Sequence, residues 1–144
     1  MGFGITTTAP YSMKPSIAQR LSKIMRTDAL PRVHINPDGG KGPELDYRVT
    51  VGRGTYIDPS AVVFTGARIG DNVIIGPDST IGADSRIGDG THIAKDVVVW
   101  ANAVVGNGAT LGVGSQVMDW AKVPDNWVVE AGEMFLRERS SNQN

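Results

Sequence analysis

The sequence contains no cysteine, only two histidines, few aromatic residues and no long hydrophobic run. The absence of cysteine excludes disulfides, thiolate metal sites and cysteine nucleophiles. The longest wholly apolar run, Val97 to Ala101, is far shorter than the roughly 18 residues that a membrane-spanning helix needs. Lys and Arg number 14 against 15 Asp and Glu, so no global field attracts nucleic acid or a membrane surface. We therefore expect a protein without a signal peptide, located in the cytoplasm or within a particle such as a virion.

Glycine, in contrast, is abundant, with 18 residues in a chain of 144, and it accompanies a repeat. From Leu45 onward the chain divides without insertion into units of six residues, and each unit opens on an aliphatic residue. The openings are Leu45, Val51, Ile57, Val63, Ile69, Ile75, Ile81, Ile87, Ile93, Val99, Val105, Leu111, Val117, Val123 and Val129. The fifth residue of each unit is small or β-branched until Trp127 and Glu133 break the pattern. A period of six is typical of a short strand followed by a corner, with the first residue filling an interior.

A second period of eighteen residues lies on top of the first, because every third unit contains a near-copy of one corner. The copies are Gly52-Arg53-Gly54, Gly70-Asp71-Asn72, Gly88-Asp89-Gly90, Gly106-Asn107-Gly108 and Pro124-Asp125-Asn126. Glycine, aspartate and asparagine are the residues that tight corners with positive φ require. Three units therefore form one coil, and five coils stacked at about 4.8 Å each predict a prism roughly 24 Å tall.

These hexapeptide units resemble the left-handed parallel β-helix of the hexapeptide-repeat superfamily. The resemblance covers residues 44–134 and implies an all-β fold of about five triangular coils. Members of the superfamily are mostly acyltransferases, with gamma-class carbonic anhydrases and non-catalytic structural subunits beside them, and they are usually trimers. The segment 122–129 is similar to the closing turn of many hexapeptide transferases.

Residues 1–43 form an N-terminal arm outside the repeat, with six basic residues against two acidic ones and a net charge of +4. Ser16 is placed to cap a short amphipathic helix within this arm. Its apolar residues are Ile17, Leu21, Ile24 and Met25, and its basic residues are Arg20, Lys23 and Arg26. Such a helix could cap the open top of the coils, or bind a neighbouring subunit or a larger protein assembly. Its few basic residues do not favour nucleic acid. Residues 135–144 form a C-terminal cap and polar tail.

Outward positions of the coils carry apolar side chains at multiples of eighteen residues. Phe64, Trp100 and Met118 share one outward column, and Ile74 and His92 share another. A continuous exposed apolar surface on a small protein usually marks an interface. Two such surfaces are what a cyclic trimer needs, so we expect these five residues at the seam of a homotrimer.

Acyl transfer needs a general base beside the acceptor, and histidine is the usual one. The segment from His92 to Asp96 resembles the active-site segment of the UDP-N-acetylglucosamine acyltransferases, but Lys95 stands where that branch carries its catalytic histidine. Lysine amines are mostly protonated at neutral pH and are poor bases unless desolvated. The same resemblance gives His92 an auxiliary position, from which it could act as the base of another branch.

The sequence supports a metal site less well than it supports acyl transfer. A carbonic anhydrase zinc needs three histidines, and the arm holds the second of the two, His34. The corner column Asp71, Asp89, Asn107 and Asp125 could form a calcium ladder, but each residue also suits a tight turn.

The uninterrupted repeat favours a structural role, because acyltransferases of this fold commonly carry an inserted loop that shapes the acceptor site. We therefore interpret the protein as a non-catalytic trimeric assembly component without cofactor or metal, such as a capsid decoration or cement protein whose arm clasps a larger complex. The alternative is an acyl-CoA-dependent hexapeptide acyltransferase. In that case His92 and Lys95 belong to the site, and Lys122, Arg137 or Arg139 lies near the CoA phosphates.

Overall fold

The computed structural model describes residues 30–136, which form short β-strands and no helix. An antiparallel hairpin of β1 (Arg32–Ile35) and β2 (Lys41–Leu45) comes first. Two-residue strands follow at six-residue intervals: β3 (Thr50–Val51), β4 (Tyr56–Ile57), β5 (Val62–Val63), β6 (Arg68–Ile69), β7 (Ile74–Ile75), β8 (Thr80–Ile81), β9 (Arg86–Ile87), β10 (His92–Ile93), β11 (Val98–Val99), β12 (Val104–Val105), β13 (Thr110–Leu111), β14 (Gln116–Val117), β15 (Lys122–Val123), β16 (Val128–Val129) and β17 (Met134–Phe135). Over this described part, no helix is present that could cross a bilayer.

The two-residue strands build three parallel sheets, and each strand pairs with the strand one coil further along. Sheet A contains β4, β7, β10, β13 and β16; sheet B contains β5, β8, β11, β14 and β17; sheet C contains β3, β6, β9, β12 and β15. The pairing keeps a register of eighteen residues, so that His92 lies between Ile74 and Thr110. The predicted parallel β-helix of about five coils is therefore confirmed.

The interior is a stack of aliphatic side chains from the first position of each unit. Ile57, Ile75, Ile93 and Leu111 are fully buried behind sheet A, and the other two sheets contribute equivalent columns. Burial of each such side chain contributes about 1.5–3 kcal/mol to folding. The stack ends where the fifth-position pattern breaks. Trp127 is too large for that interior position, remains 47% exposed and meets Phe135 edge-on, with 6.2 Å between ring centroids.

One corner of the prism is held by a ladder of side-chain acceptors. The Oδ1 atom of Asp89 accepts from the backbone N–H of Asp71 at 2.8 Å, one coil away, and Asp71, Asn107 and Asp125 accept in the same way. Glycine precedes Asp71, Asp89 and Asn107 because the next coil leaves no room for a side chain, whereas Pro124 precedes Asp125 at the end of the ladder. A Cβ at Gly88 would lie 2.6 Å from the backbone nitrogen of Asn107. The corner aspartates therefore have a structural task as hydrogen-bond acceptors.

The hairpin β1–β2 closes the top of the prism, and most of it lies within the predicted N-terminal arm. Three alternate residues of this hairpin segment bond to backbone groups of the first coil. Arg32 donates to the carbonyl of Val49 at 2.8 Å, and a His34 ring nitrogen lies 3.0 Å from the carbonyl of Thr55. The buried side chain of Asn36 exchanges two hydrogen bonds with Ile57, as a neighbouring strand would. The helix predicted for residues 16–26 lies outside the described residues.

Replacing Asn36 with alanine should lower the free energy of unfolding by about 2 kcal/mol, because two buried backbone groups of Ile57 lose their partners. Urea unfolding followed by circular dichroism measures the change. Glu44→Ala, at an exposed position of the same hairpin, is the matched control and should leave stability within about 0.5 kcal/mol. Equal effects of the two substitutions would contradict the capping role of Asn36.

Two serines at equivalent interior positions predict opposite responses to alanine. Ser79 Oγ donates to the carbonyl of Ala94 at 2.7 Å and accepts from the backbone of Val97, whereas Ser115 Oγ is buried without a partner among the described residues. An unsatisfied buried hydroxyl costs about 1–3 kcal/mol. Ser115→Ala should therefore raise the free energy of unfolding by about 1 kcal/mol, and Ser79→Ala should lower it. Thermal unfolding of both variants decides the signs, and destabilisation by Ser115→Ala would refute this expectation.

Candidate functional site

His92 projects from the outer surface of sheet A, on the middle strand β10. Its column neighbours are Ile74 on one side and Thr110 on the other, and the imidazole is exposed. An exposed imidazole is open to a substrate outside the chain, and histidine is the residue that most often serves as a general base. Neither column neighbour is a carboxylate, so a group that orients the ring has to come from outside this column.

Lys95 lies at the corner between sheets A and B, three residues beyond His92 and off the strand. Its Nζ atom is 3.9 Å from Asp96 Oδ2, and both side chains are about half exposed. Such a solvated pair contributes little energy. Lys95 is therefore a basic side chain beside a carboxylate, three residues from His92 along the chain.

His34 does not join His92. It lies on the capping hairpin above the first coil, and its ring bonds to the carbonyl of Thr55. Between residues 30 and 136 there is no group of three His, Cys, Asp or Glu side chains that could hold a metal ion. The two histidines thus have separate positions, one in the cap and one on the sheet A wall.

The five residues predicted for a trimer seam fall into two surfaces. Phe64, Trp100 and Met118 line the corner between sheets B and C, whereas Ile74 and His92 lie on the sheet A face. In a three-sided prism, the corner where sheets B and C meet lies opposite sheet A. The first three residues are therefore on the other side of the prism from Ile74 and His92. Phe64, Trp100 and Ile74 are 50%, 45% and 44% exposed. Both surfaces are compatible with self-association.

Trp120 extends the first of these surfaces and has an unusual backbone. It is 60% exposed, and its φ of 66° is in the left-handed region. The equivalent residues of the three preceding coils are Gly66, Asp84 and Asn102, which tolerate that conformation. A bulky residue there is a rare and strained choice, and such strain is concentrated at functional sites. The sequence shows Trp120 two residues beyond Met118, in a column of turn formers, but the left-handed backbone is seen only in the structure.

We call the surface formed by Phe64, Trp100, Met118 and Trp120 the B–C ridge. Lys122, one of the residues predicted to lie near the CoA phosphates, is exposed on β15, two residues beyond Trp120. An exposed indole and a lysine amine so close in the chain are chemically suited to an adenine ring and a phosphate. Arg137 and Arg139, and the arm residues 17, 20, 21 and 23–26, lie outside the described residues.

Comparisons with known proteins agree with this architecture. A mutant of perosamine N-acetyltransferase from Caulobacter crescentus, in complex with CoA and GDP-perosamine, is 26% identical with a TM-score of 0.62, over 63% of this chain and 43% of that one. PerB from the same organism, also with CoA and GDP-perosamine, is 20% identical with a TM-score of 0.62, over 95% and 64%. The chain thus spans less than two thirds of either protein. No curated protein sequence matches it significantly.

These likenesses correct two expectations. The interpretation as a non-catalytic capsid decoration or cement protein is wrong, because the similar structures are acetyltransferases, and a larger assembly bound by the arm gains no support from them. The expectation of no cofactor is overturned by the CoA in the same structures. The absence of an inserted loop from the coils was the reason for predicting a structural role, and it was not a valid one. Outward side chains on the walls can form a site without any insertion, so an uninterrupted repeat does not exclude catalysis.

The family assignment rests on the repeat itself. A family model described as the GMPPB C-terminal domain matches residues 51–135, which is more than half of the chain and almost all of the coils. The three parallel sheets, the six-residue strand spacing and the acetyltransferase neighbours confirm the hexapeptide-repeat resemblance. The chain belongs to the GMPPB C-terminal domain family, within the left-handed parallel β-helix superfamily.

Proposed function

We propose that the protein is an acyl-CoA-dependent acyltransferase with His92 as its general base. The observation that carries the proposal is the likeness, at 26% identity and a TM-score of 0.62, to an N-acetyltransferase structure with CoA and a nucleotide-linked sugar. An exposed histidine on a wall of the coils supplies the one group that such chemistry needs from the chain. An acceptor with an amine on a sugar is the substrate class that we favour.

The proposed reaction uses few groups of the protein. His92 accepts the proton that the acceptor amine loses as its nitrogen attacks the thioester carbonyl, and the CoA thiolate leaves. Acyl-CoA supplies the activated acyl group. Lys95, 3.9 Å from Asp96, is the basic residue three positions beyond His92, where it would stabilise an oxyanion or a phosphate. Trp120 and Lys122 are the described residues that would hold the adenine ring and a phosphate of CoA.

The active form that we propose is a homotrimer in which the B–C ridge of one subunit contacts the sheet A face of the next. A corner facing a side gives a head-to-tail contact, and three such contacts close a ring. This arrangement buries Phe64, Trp100 and Ile74, which are otherwise about half exposed. It also brings His92 against a neighbouring subunit, which can provide the orienting group that its own column lacks.

Release of free CoA thiol from acetyl-CoA tests the proposal. The full-length protein should release thiol only when an amino-sugar acceptor is added, with amino sugars and nucleotide-linked amino sugars as the panel. Acetylated product is identified by mass spectrometry. Native mass spectra with acetyl-CoA should show one CoA per subunit interface. No uptake of CoA together with no transfer to any acceptor would overturn the proposed function.

A further inference from the structure

The outer face of sheet C differs from the other two walls because it carries basic side chains. Arg68 on β6 and Arg86 on β9 are adjacent in register, and both are exposed. They border an open groove of about 430 Å³ whose other lining residues include Val104, Gly106, Asn107 and Asp125. We infer that this arginine groove is a binding site for a diphosphate group, on a wall separate from the one that carries His92.

Arg68 and Arg86 place two like charges side by side on neighbouring strands. Like charges directly opposite each other on neighbouring strands destabilise a sheet, so two adjacent arginines need a reason. Among residues 30–136, the ion pair within 4.0 Å is that of Lys95 with Asp96, and no described carboxylate pairs with Arg68 or Arg86. A bound anion with several oxygens would offset the repulsion, because guanidinium groups bind phosphate oxygens in pairs.

The groove also has a floor and a volume that suit a diphosphate group. Glycines 70, 88 and 106 follow the strands of this face, so peptide backbone forms much of the floor. The volume of about 430 Å³ lies within the range of small-molecule pockets, and it exceeds the space that a single phosphate needs. Arg68 and Arg86 lie one coil apart along the axis of the prism. Two cations at that spacing match an extended diphosphate better than one compact anion.

Asp125 is the carboxylate among the lining residues of the groove, and it would repel an anionic ligand. Its replacement therefore tests whether the groove binds a diphosphate. Asp125 lines the groove, and its Oδ1 atom accepts from the backbone N–H of Asn107 at 2.8 Å. Asparagine serves the same purpose at position 107 of the ladder, where it accepts from Asp89. Asp125→Asn therefore keeps the corner intact while it removes one negative charge. This variant should bind a diphosphate more tightly than the natural sequence.

The experiment is calorimetric titration of the full-length protein with inorganic pyrophosphate at low ionic strength. Arg68→Gln and Arg86→Gln should each weaken pyrophosphate binding at least about tenfold, since each removes a charge-assisted contact. Arg48→Gln removes the same charge outside the groove and should leave the affinity within about twofold. His92→Ala should also bind pyrophosphate normally, so this inference can fail or hold independently of the proposed acyl transfer.

Two outcomes would overturn the inference: no binding of pyrophosphate at millimolar concentration, or equal losses in Arg48→Gln and the groove variants. ADP and CoA, titrated in parallel, distinguish the source of the diphosphate. Binding of ADP that depends on Arg68 and Arg86, with no gain for CoA, assigns the groove to a nucleoside diphosphate. A tighter, equally arginine-dependent binding of CoA assigns it to the cosubstrate. Unfolding curves of the two variants confirm that exposed strand positions tolerate glutamine.

Discussion

Replacing His92 with alanine is expected to lower the turnover number for acetyl transfer by about 100-fold or more, with a small change in KM. Loss of a general base typically costs a factor of about 100 to 10,000. The imidazole projects from sheet A into solvent, so its removal leaves the buried Ile93 and the rest of the core in place. The measurement is the rate of thiol release at saturating acetyl-CoA and acceptor, together with the unfolding transition of the variant.

A control makes the His92 result specific. Thr80→Ala changes an outward position on sheet B and should keep full turnover. Normal turnover of His92→Ala would remove this residue from the mechanism, whatever the fate of the proposed activity.

Replacing Trp100 with aspartate is expected to dissociate the proposed trimer. The indole is 45% exposed on the single chain, and its Nε1 atom donates to Gln116 at 3.1 Å. At a seam the same position would be desolvated, and a carboxylate buried there without a partner carries a large free-energy penalty. Sedimentation velocity should therefore find monomers. Turnover should fall with the trimer, because His92 would lose the neighbouring subunit.

Met134→Asp is the matched control for Trp100→Asp. Met134 is 50% exposed on the last strand of sheet B, where it pairs with Gln116, and it belongs neither to the four residues of the B–C ridge nor to the sheet A face. It should leave the trimer intact while it adds the same charge. If both variants remain trimeric, the seam lies elsewhere on the surface, and if both dissociate, the effect is one of charge rather than of the ridge.

The fold could be predicted correctly because every coil follows the same short pattern of residues. Each coil strand pairs with strands eighteen residues away, so the repeat that is visible in the chain is also the repeat of the hydrogen bonds. Ile57, Ile75 and Ile93 are therefore buried for the same reason, and one coil predicts the next. The end of the interior was equally visible, because Trp127 does not fit a position that otherwise holds small or β-branched residues. The function was the part that failed, since the outward residues do not follow from the period.

The sequence by itself determined the coils, the buried columns and the outward position of His92, because each depends only on its place within a unit. The tertiary structure decided what the repeat leaves open. It placed Asn36 against Ile57, put Trp100 at the corner of sheets B and C and Ile74 on sheet A, and aligned Arg68 with Arg86. It also showed the left-handed backbone of Trp120. These features depend on contacts between coils, sheets and the cap, and such contacts exist only after the chain has closed into three sides.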